Sequence, residues 1–153
     1  MSLFTGLSAF PLTPTDEEGR LNPDLLCRFL ERILAAGADS IGLLGSTGGY
    51  PYLTPVERKR TLRAAVECVA GRTPVIVGVG ALRTDVAEDL ARDAKRAGAD
   101  GLLLAPMSYQ PLTQDEVFRH VEVVAAAGDL PLCIYNNPRT TNFTFTRDLI
   151  GRL

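Results

Sequence analysis

A short motif that occurs twice constrains the fold of this chain more than any other feature. The tetrapeptide AGAD stands at residues 36–39 and again at residues 97–100, an offset of 61, and both copies precede an apolar run. Each copy combines a glycine typical of a helix end with the start of a buried strand. The offset fits two strand–helix units of about 30 residues each. The repeat therefore indicates right-handed βα units that stack along one sheet.

Apolar segments and amphipathic segments alternate along the whole chain. The predicted strands occupy residues 3–10, 41–44, 74–80, 102–106 and 131–135. The predicted helices, marked by capping residues or proline at the start and glycine at the end, occupy residues 23–37, 55–71, 84–98 and 114–128, and another begins at Thr146. This α/β array suits an open doubly wound sheet or part of an eight-stranded barrel. Because no G-x-G-x-x-G motif or ribose-binding acid follows the first strand, we favour the barrel.

Composition excludes several functional classes. The chain has 153 residues, of which 46% are hydrophobic and 22% charged, as expected for one globular domain. A formal net charge of −2 gives no electrostatic reason to expect a nucleic acid or an anionic membrane as partner. No apolar run approaches the roughly 20 residues that a membrane helix needs, and the start lacks a signal-peptide pattern. We therefore expect a cytoplasmic protein.

The cysteines support the same expectation. Cys27, Cys68 and Cys133 are odd in number, widely spaced and embedded in apolar segments. Such a pattern argues against a disulfide framework and against a zinc site. We predict buried free thiols in a reduced protein, and no metal.

A glycine-rich turn follows the second predicted strand. Residues 45–49 read GSTGG, and the next helix start lies at Thr54. In a parallel α/β sheet, ligands bind at the carboxyl ends of strands, where loops and helix N-termini meet. The glycines let backbone amides approach a ligand closely, and Ser46 and Thr47 add two hydroxyl groups. The turn therefore predicts a ligand site; the alternative is an ordinary βα loop with glycines for tight turning.

Four motifs, each at the end of a predicted strand, carry a family resemblance. They are TP-x-D-x-x-G at 13–19, GSTG at 45–48 with LT-x-x-ER at 53–58, GVG at 78–80 and YNNP at 135–138. In these motifs and their order, the chain resembles the N-terminal part of the dihydrodipicolinate synthase and N-acetylneuraminate lyase family of class I aldolases. The resemblance covers essentially all 153 residues.

The resemblance implies a (β/α)8 TIM barrel, of which residues 1–153 form about the first five βα units of a single domain, the remaining strands being absent. It implies a carbon–carbon lyase or aldolase that binds pyruvate as a Schiff base on a lysine at the end of the sixth strand. An aldehyde is the implied co-substrate, no cofactor is required, and a homo-oligomer is expected.

The resemblance also implies roles for four residues. Tyr135 would be the phenol that relays protons near the Schiff base, and Thr47 would bond to it. Ser46, Thr47 and Gly48 would bind the carboxylate of the keto acid. Two hydroxyl groups with adjacent backbone N–H groups orient a carboxylate without a strong cation, which suits this chemistry. The alternative for Tyr135 is a core tyrosine at a strand end.

Three positions depart from the family pattern. Gly49 stands where the family often has glutamate, and Ser108, followed by Tyr109, stands where the synthases have a tyrosine that reaches a neighbouring subunit. Thr140 occupies the position of the synthases' substrate-binding arginine, with Arg139 one place early. An aldolase or dehydratase acting on a sugar acid is therefore an open alternative to an enzyme of lysine biosynthesis.

The nucleophile is missing from the predicted site. The two lysines, Lys59 and Lys95, lie on predicted helices, and we interpret them as solvated surface charges because a Schiff-base lysine must be desolvated within the site. His120 is likewise predicted to lie on the surface. We therefore expect a fragment that is inactive alone. A non-catalytic half-barrel that binds or associates without chemistry is the other hypothesis.

Overall fold

The sheet has the strand order of a barrel and not that of a doubly wound fold. The computed structural model describes residues 3–153. Its strands are β1 (Ser8–Ala9), β2 (Ser40–Leu43), β3 (Val75–Gly78), β4 (Gly101–Leu104) and β5 (Leu132–Ile134). They lie in the order β1-β2-β3-β4-β5, and every neighbouring pair is parallel. A doubly wound sheet would reverse its order at a switch point, whereas strands that follow in sequence are the first part of a (β/α)8 barrel.

The helices lie between the strands, as the sequence predicts. They are α1 (Pro23–Ala35), α2 (Pro55–Val69), α3 (Thr84–Ala97), α4 (Gln114–Gly128), α5 (Pro138–Thr141) and α6 (Arg147–Arg152), with a 3-10 turn at Tyr50–Tyr52. Side chains of Asn22, Thr54, Thr113 and Thr146 cap four of them by accepting a backbone N–H from the first turn. The short helix α5 was not predicted, because four residues are too few for a periodic pattern.

The first strand is much shorter than predicted. Only Ser8 and Ala9 of the predicted residues 3–10 pair with β2. Gly6 adopts a left-handed conformation, with φ +81°, which turns the chain immediately before the strand. The apolar composition of this segment therefore does not indicate strand length, and Phe4, Leu7 and Phe10 are exposed.

The repeated AGAD motif fastens neighbouring strands at their amino ends. Both motif glycines have positive φ, +74° at Gly37 and +87° at Gly98, and end their helices. The Asp39 carboxylate then accepts the backbone N–H of Leu7 at 2.7 Å, beside β1. The second copy repeats this contact, because the carboxylate of Asp100 accepts the N–H of Val75 at 2.8 Å. The motif thus ties each even-numbered strand to the one before it.

The main core lies between the sheet and the surrounding helices. Leu26 and Leu30 of α1 are completely buried, as are Ile41 and Leu43 of β2. On the other face of the sheet the cover is incomplete. Phe10 lies against Gly42 and Gly45 there, yet it is 42% exposed. Apolar side chains on the barrel-facing side of the described sheet are thus partly open.

The prediction of three free thiols is wrong. Cys27 of α1 and Cys68 of α2 form a disulfide, with their Cα atoms 5.7 Å apart. The two helices pack side by side, and this pairing cannot be inferred from two residues that are 41 positions apart in sequence. Cys133 remains a free, half-buried thiol. The disulfide removes one argument for a cytoplasmic location, because such bonds persist mainly in oxidising environments.

His120 is buried, which contradicts its predicted place on the surface. Its imidazole lies between α4 and α3, with Nδ1 2.9 Å from the hydroxyl oxygen of Thr84. Burial holds the pKa of His120 below its usual value. Within residues 3–153, no helix is both long and apolar enough to cross a membrane.

We expect the Cys27–Cys68 bond to stabilise the complete protein. It closes a loop of 41 residues, for which the loss of chain entropy in the unfolded state amounts to about 3 to 4 kcal/mol. The double variant Cys27→Ser/Cys68→Ser should therefore unfold at a lower urea concentration than the oxidised protein, and reductant should lower the midpoint of the unmodified protein only. Cys133→Ser is the matched control. Equal midpoints for the oxidised and the reduced protein would contradict this prediction.

Candidate functional site

The carboxyl ends of the strands converge on a narrow cleft. Ser46 lies in the loop after β2, Gly80 in the loop after β3, Ala105 after β4 and Tyr135 after β5, and all four line the cleft. They meet because parallel strands end at the same edge of a sheet. The two sequence motifs with the clearest chemistry, GSTG and YNNP, thus share one site.

A left-handed turn at Leu44 directs the GSTG loop over the neighbouring strand. Leu44 has φ +55°, which is unusual for a bulky residue, and its side chain is 2% exposed. Its carbonyl oxygen comes so close to Gly78 that a Cβ there would lie 2.0 Å away. Only glycine fits at this point of β3. The packed side chain and the close approach together determine where the loop lies.

Two glycines of the loop are required for different physical reasons. A Cβ at Gly48 would lie 3.2 Å from both Cα of Leu44 and the hydroxyl of Thr13, which is closer than ordinary contact. Gly49 instead needs its conformation, φ +63°. The hydroxyl oxygen of Thr13 is buried and has no hydrogen-bond partner within residues 3–153.

The phenol oxygen of Tyr135 accepts two hydrogen bonds in the cleft. The Ser46 hydroxyl donates to the phenol oxygen at 3.2 Å, and the side-chain amide of Asn137 donates to it at 2.9 Å. These hydrogen bonds, that of Ser46 first, lower the pKa of Tyr135 from its usual value because they favour the phenolate. Tyr135 is half-buried, so the phenol is held in place yet remains accessible.

One predicted contact is replaced by another. Thr47 was expected to bond to Tyr135, but the adjacent Ser46 makes that bond. The Thr47 side chain is exposed and makes no hydrogen bond in the part of the chain that the structure describes. A turn of this kind points successive side chains in different directions, and sequence spacing does not determine which of two hydroxyl groups faces the phenol. The substrate-binding roles of Ser46, Thr47 and Gly48 stay predictions.

Sequence reasoning missed a buried cation behind the cleft. The guanidinium of Arg58, on α2, donates to the carbonyl oxygens of Gly80 at 2.9 Å and Gly78 at 2.8 Å. It also lies over the ring of Tyr50, 5.1 Å from the ring centre. Burial lowers the pKa of Arg58 to about 10, so the group stays charged at neutral pH. Arg58 belongs to the LT-x-x-ER motif, which was the available signal.

The cleft differs from the other places that could bind a ligand. A wider cavity, of about 620 Å³, lies between α3 and α4 and is lined in part by His120 and Glu88. Among residues 3–153, the one cluster of three potential metal ligands is Cys27, Glu31 and Cys68, on the outer side of α1 and α2. Its two sulfur atoms are bonded to each other and offer no thiolate. The cysteine cluster lies away from the carboxyl edge of the sheet, whereas the cavity is also lined by Leu82 and Ser108 of the loops that follow β3 and β4.

Comparison with known proteins agrees with the fold and the motifs. The model of the "Dihydrodipicolinate synthetase family" matches residues 3–153. A 4-hydroxy-tetrahydrodipicolinate synthase from Gluconacetobacter diazotrophicus is 39% identical over 99% of this chain and 51% of its own length. The chain thus spans about half the length of the curated relatives that it matches.

Solved structures give the same result. The crystal structure of dihydrodipicolinate synthase from Agrobacterium tumefaciens is 55% identical, with a TM-score of 0.96 over 98% of this chain and 50% of that one. YagE, a prophage protein of the same family from E. coli K12 solved in complex with pyruvate, is 30% identical, with a TM-score of 0.94 over 99% of this chain and 51% of its own. With five parallel strands in sequential order and about half of each solved chain covered, the sheet matches the first βα units of a TIM barrel. The chain belongs to the dihydrodipicolinate synthetase family.

Proposed function

We propose that the complete protein is a pyruvate-dependent, Schiff-base-forming aldolase or lyase, and that this chain supplies its keto-acid site. The observation that carries the proposal is the phenol oxygen of Tyr135, which accepts hydrogen bonds from Ser46 and Asn137 where β2 and β5 end. A phenol with a lowered pKa exchanges protons more readily near neutral pH than an ordinary one. The pyruvate complex of the relative from E. coli K12 supports the choice of substrate.

The loop after β2 suits the carboxylate of the keto acid. The Thr47 hydroxyl and the backbone N–H groups of Thr47 and Gly48 make no hydrogen bonds within residues 3–153, so they remain free to donate to an anion. Backbone N–H groups that point into one concave turn bind anions well. We assign the carboxylate to Thr47 and Gly48, with Ser46 between the carboxylate and Tyr135.

The Schiff-base lysine is assigned to a part of the protein outside residues 1–153. Lys59 Nζ lies 2.6 Å from the carboxylate of Asp93, and Lys95 Nζ donates to the carbonyl of Asp129 at 2.8 Å. Both ammonium groups are paired among the outer helices, and neither lines the cleft, so neither is placed to attack a keto acid bound there. This chain matches only about half the length of its relatives, and we assign the remaining strands and the lysine to the other half.

The chemistry follows from these positions. The lysine amine attacks the keto carbon of pyruvate, water leaves, and an iminium forms. Loss of a proton from the methyl carbon gives an enamine, which adds to the carbonyl carbon of an aldehyde, while the aldehyde oxygen takes up a proton. Water then hydrolyses the resulting iminium, which releases the keto-acid product and the free lysine amine. In the reverse direction the same steps cleave the carbon–carbon bond. Tyr135 moves the protons at the carbinolamine and at the aldehyde oxygen.

The aldehyde partner is assigned to a class other than the amino-acid semialdehyde of lysine biosynthesis. Ser108 replaces the tyrosine of the synthases, and its hydroxyl bonds locally to the carbonyl of Gln110. Arg139 is exposed on α5 and Thr140 bonds to the carbonyl of Asn137. No arginine of α5 therefore lines the cleft, which supports an aldehyde derived from a sugar acid.

We also propose a homo-oligomer in the cytoplasm. Leu82 and Tyr109 are 67% and 94% exposed, and both stand at the carboxyl edge of the sheet, where a second copy would cover them. Pyruvate is a metabolite of the cytoplasm, and in that compartment the Cys27–Cys68 bond would be reversible.

Deuterium exchange into the methyl group of pyruvate tests the proposal without knowledge of the aldehyde. In heavy water the complete protein should exchange these protons, because the enamine forms from pyruvate alone. Tyr135→Phe should slow exchange by roughly 10²–10⁴-fold, the usual range for a positioned acid–base group. The reaction is followed by proton NMR, with Tyr109→Phe as the control. A complete protein without exchange would favour the non-catalytic half-barrel, and a Tyr135→Phe variant with normal exchange and a lower melting temperature would make Tyr135 a core residue.

The hydrogen bond from Ser46 generates a second prediction. Because this bond favours the phenolate, Ser46→Ala should raise the pKa of Tyr135, and the alkaline limb of the exchange rate should move to higher pH. The pKa is read from the ¹³Cζ signal of labelled tyrosine. Thr47→Val should leave the pKa of Tyr135 unchanged and raise the KM for pyruvate. A pKa that responds to Thr47→Val and not to Ser46→Ala would reverse the two assignments.

A further inference from the structure

Besides Tyr135, a second phenol faces the cleft. Tyr50 begins the 3-10 turn after the GSTG loop, and it lines the cleft together with Ser46 and Tyr135. Its side chain is 8% exposed, so the ring is buried. Its hydroxyl oxygen lies 3.4 Å from the position that a Cβ would take at Gly80, which places it at the carboxyl end of β3.

The hydroxyl of Tyr50 has no partner, although its ring is held firmly. Arg58 lies over the ring and is itself bound to the carbonyl oxygens of Gly78 and Gly80. Within residues 3–153 the hydroxyl makes no hydrogen bond, and it is not among the polar atoms sealed from solvent. A ring fixed by a buried cation and a free hydroxyl that reaches a cleft are the features of a group positioned to contact a ligand.

The two phenols have opposite environments. Burial raises the pKa of Tyr50, whereas hydrogen bonds from Ser46 and Asn137 lower that of Tyr135. Groups whose environments separate their pKa values take different roles in a site. Tyr50 therefore stays protonated as a hydrogen-bond donor, while Tyr135 exchanges protons.

The position of Tyr50 indicates which of the two substrates its hydroxyl group contacts. The proposed carboxylate cradle at Thr47 and Gly48 follows β2, but the Tyr50 hydroxyl lies farther along the sheet, at the ends of β3 and β4. In the described chain no charged side chain lines the cleft itself, and Arg58, which lies over the Tyr50 ring, is already bound to the carbonyl oxygens of Gly78 and Gly80. A neutral donor in such surroundings suits a neutral oxygen, such as a hydroxyl group, better than it suits a second carboxylate.

We propose that Tyr50 determines specificity for the second substrate by donating a hydrogen bond to a hydroxyl group of the aldehyde. The inference rests on the proposed aldolase function and extends it to the aldehyde, which is then a hydroxyaldehyde and not a plain alkyl aldehyde. In this proposal the ring of Tyr50 stabilises the fold by packing against Arg58, and the hydroxyl group binds the aldehyde.

The test compares two aldehydes in the complete protein. D-glyceraldehyde carries the hydroxyl groups that propanal lacks, and each is added to pyruvate under the same conditions. The unmodified protein should prefer glyceraldehyde in kcat/KM. In Tyr50→Phe the ring and its contact with Arg58 remain, so the melting temperature should not change. The preference for glyceraldehyde should fall by about tenfold, because kcat/KM should decrease for glyceraldehyde and not for propanal. Tyr52→Phe, in the same turn but 91% exposed, is the matched control and should keep the full preference.

Other outcomes separate the two proposals. An equal loss with both aldehydes in Tyr50→Phe would make the hydroxyl a structural group, and an unchanged preference would show that it does not contact the aldehyde; both overturn the inference. A complete protein that exchanges deuterium into pyruvate but prefers propanal also overturns the inference while leaving the aldolase proposal intact. Absence of both exchange and addition would overturn the aldolase proposal, and this inference with it.

Discussion

The site depends on the close approach of the Leu44 carbonyl to Gly78. The strained turn at Leu44 carries the GSTG loop across the end of the neighbouring strand, and only a residue without a side chain lets it pass. Arg58 of α2 stabilises the same end of β3, because its guanidinium binds the carbonyl oxygens of Gly78 and Gly80. A cation buried in this way is stable only while both carbonyls remain in reach, so the loop, the strand end and the helix α2 are interdependent.

This arrangement supports the role that we propose for the loop as a carboxylate-binding site. Backbone N–H groups and hydroxyl groups bind a carboxylate only if they are held in place before it arrives. Here the preorganisation comes from packing: the buried side chain of Leu44 anchors one end of the loop, and Tyr50, fixed under Arg58, anchors the other. Ser46 and Thr47 lie between these anchors and point in different directions, one toward Tyr135 and one toward solvent.

Much of the fold could be predicted from the sequence, because its signals are local. The caps at Asn22, Thr54, Thr113 and Thr146 and the repeated AGAD motif depend on residues a few positions apart. The failures concern contacts between elements that are distant in sequence. The Cys27–Cys68 bond and the burial of His120 arise where helices pack side by side. A polar residue on a helix facing another helix has the same sequence pattern as one facing water.

That the GSTG and YNNP segments lie together could be predicted for the same reason, whereas their roles in binding and catalysis stay predictions. Placing motifs at strand ends brings the GSTG and YNNP segments together once the strands are parallel. The partner of the phenol could not be predicted, since the choice between Ser46 and Thr47 depends on the turn at Leu44.

Borohydride reduction in the presence of pyruvate tests the central claim most directly. If this chain is the keto-acid half of a Schiff-base aldolase, the complete protein should gain one reduced pyruvate unit per subunit, and peptide mapping should place it on a lysine outside residues 1–153. Residues 1–153 alone should stay unmodified under the same treatment. Stoichiometric labelling of Lys59 or Lys95, or a complete protein that gains no pyruvate, would contradict the account.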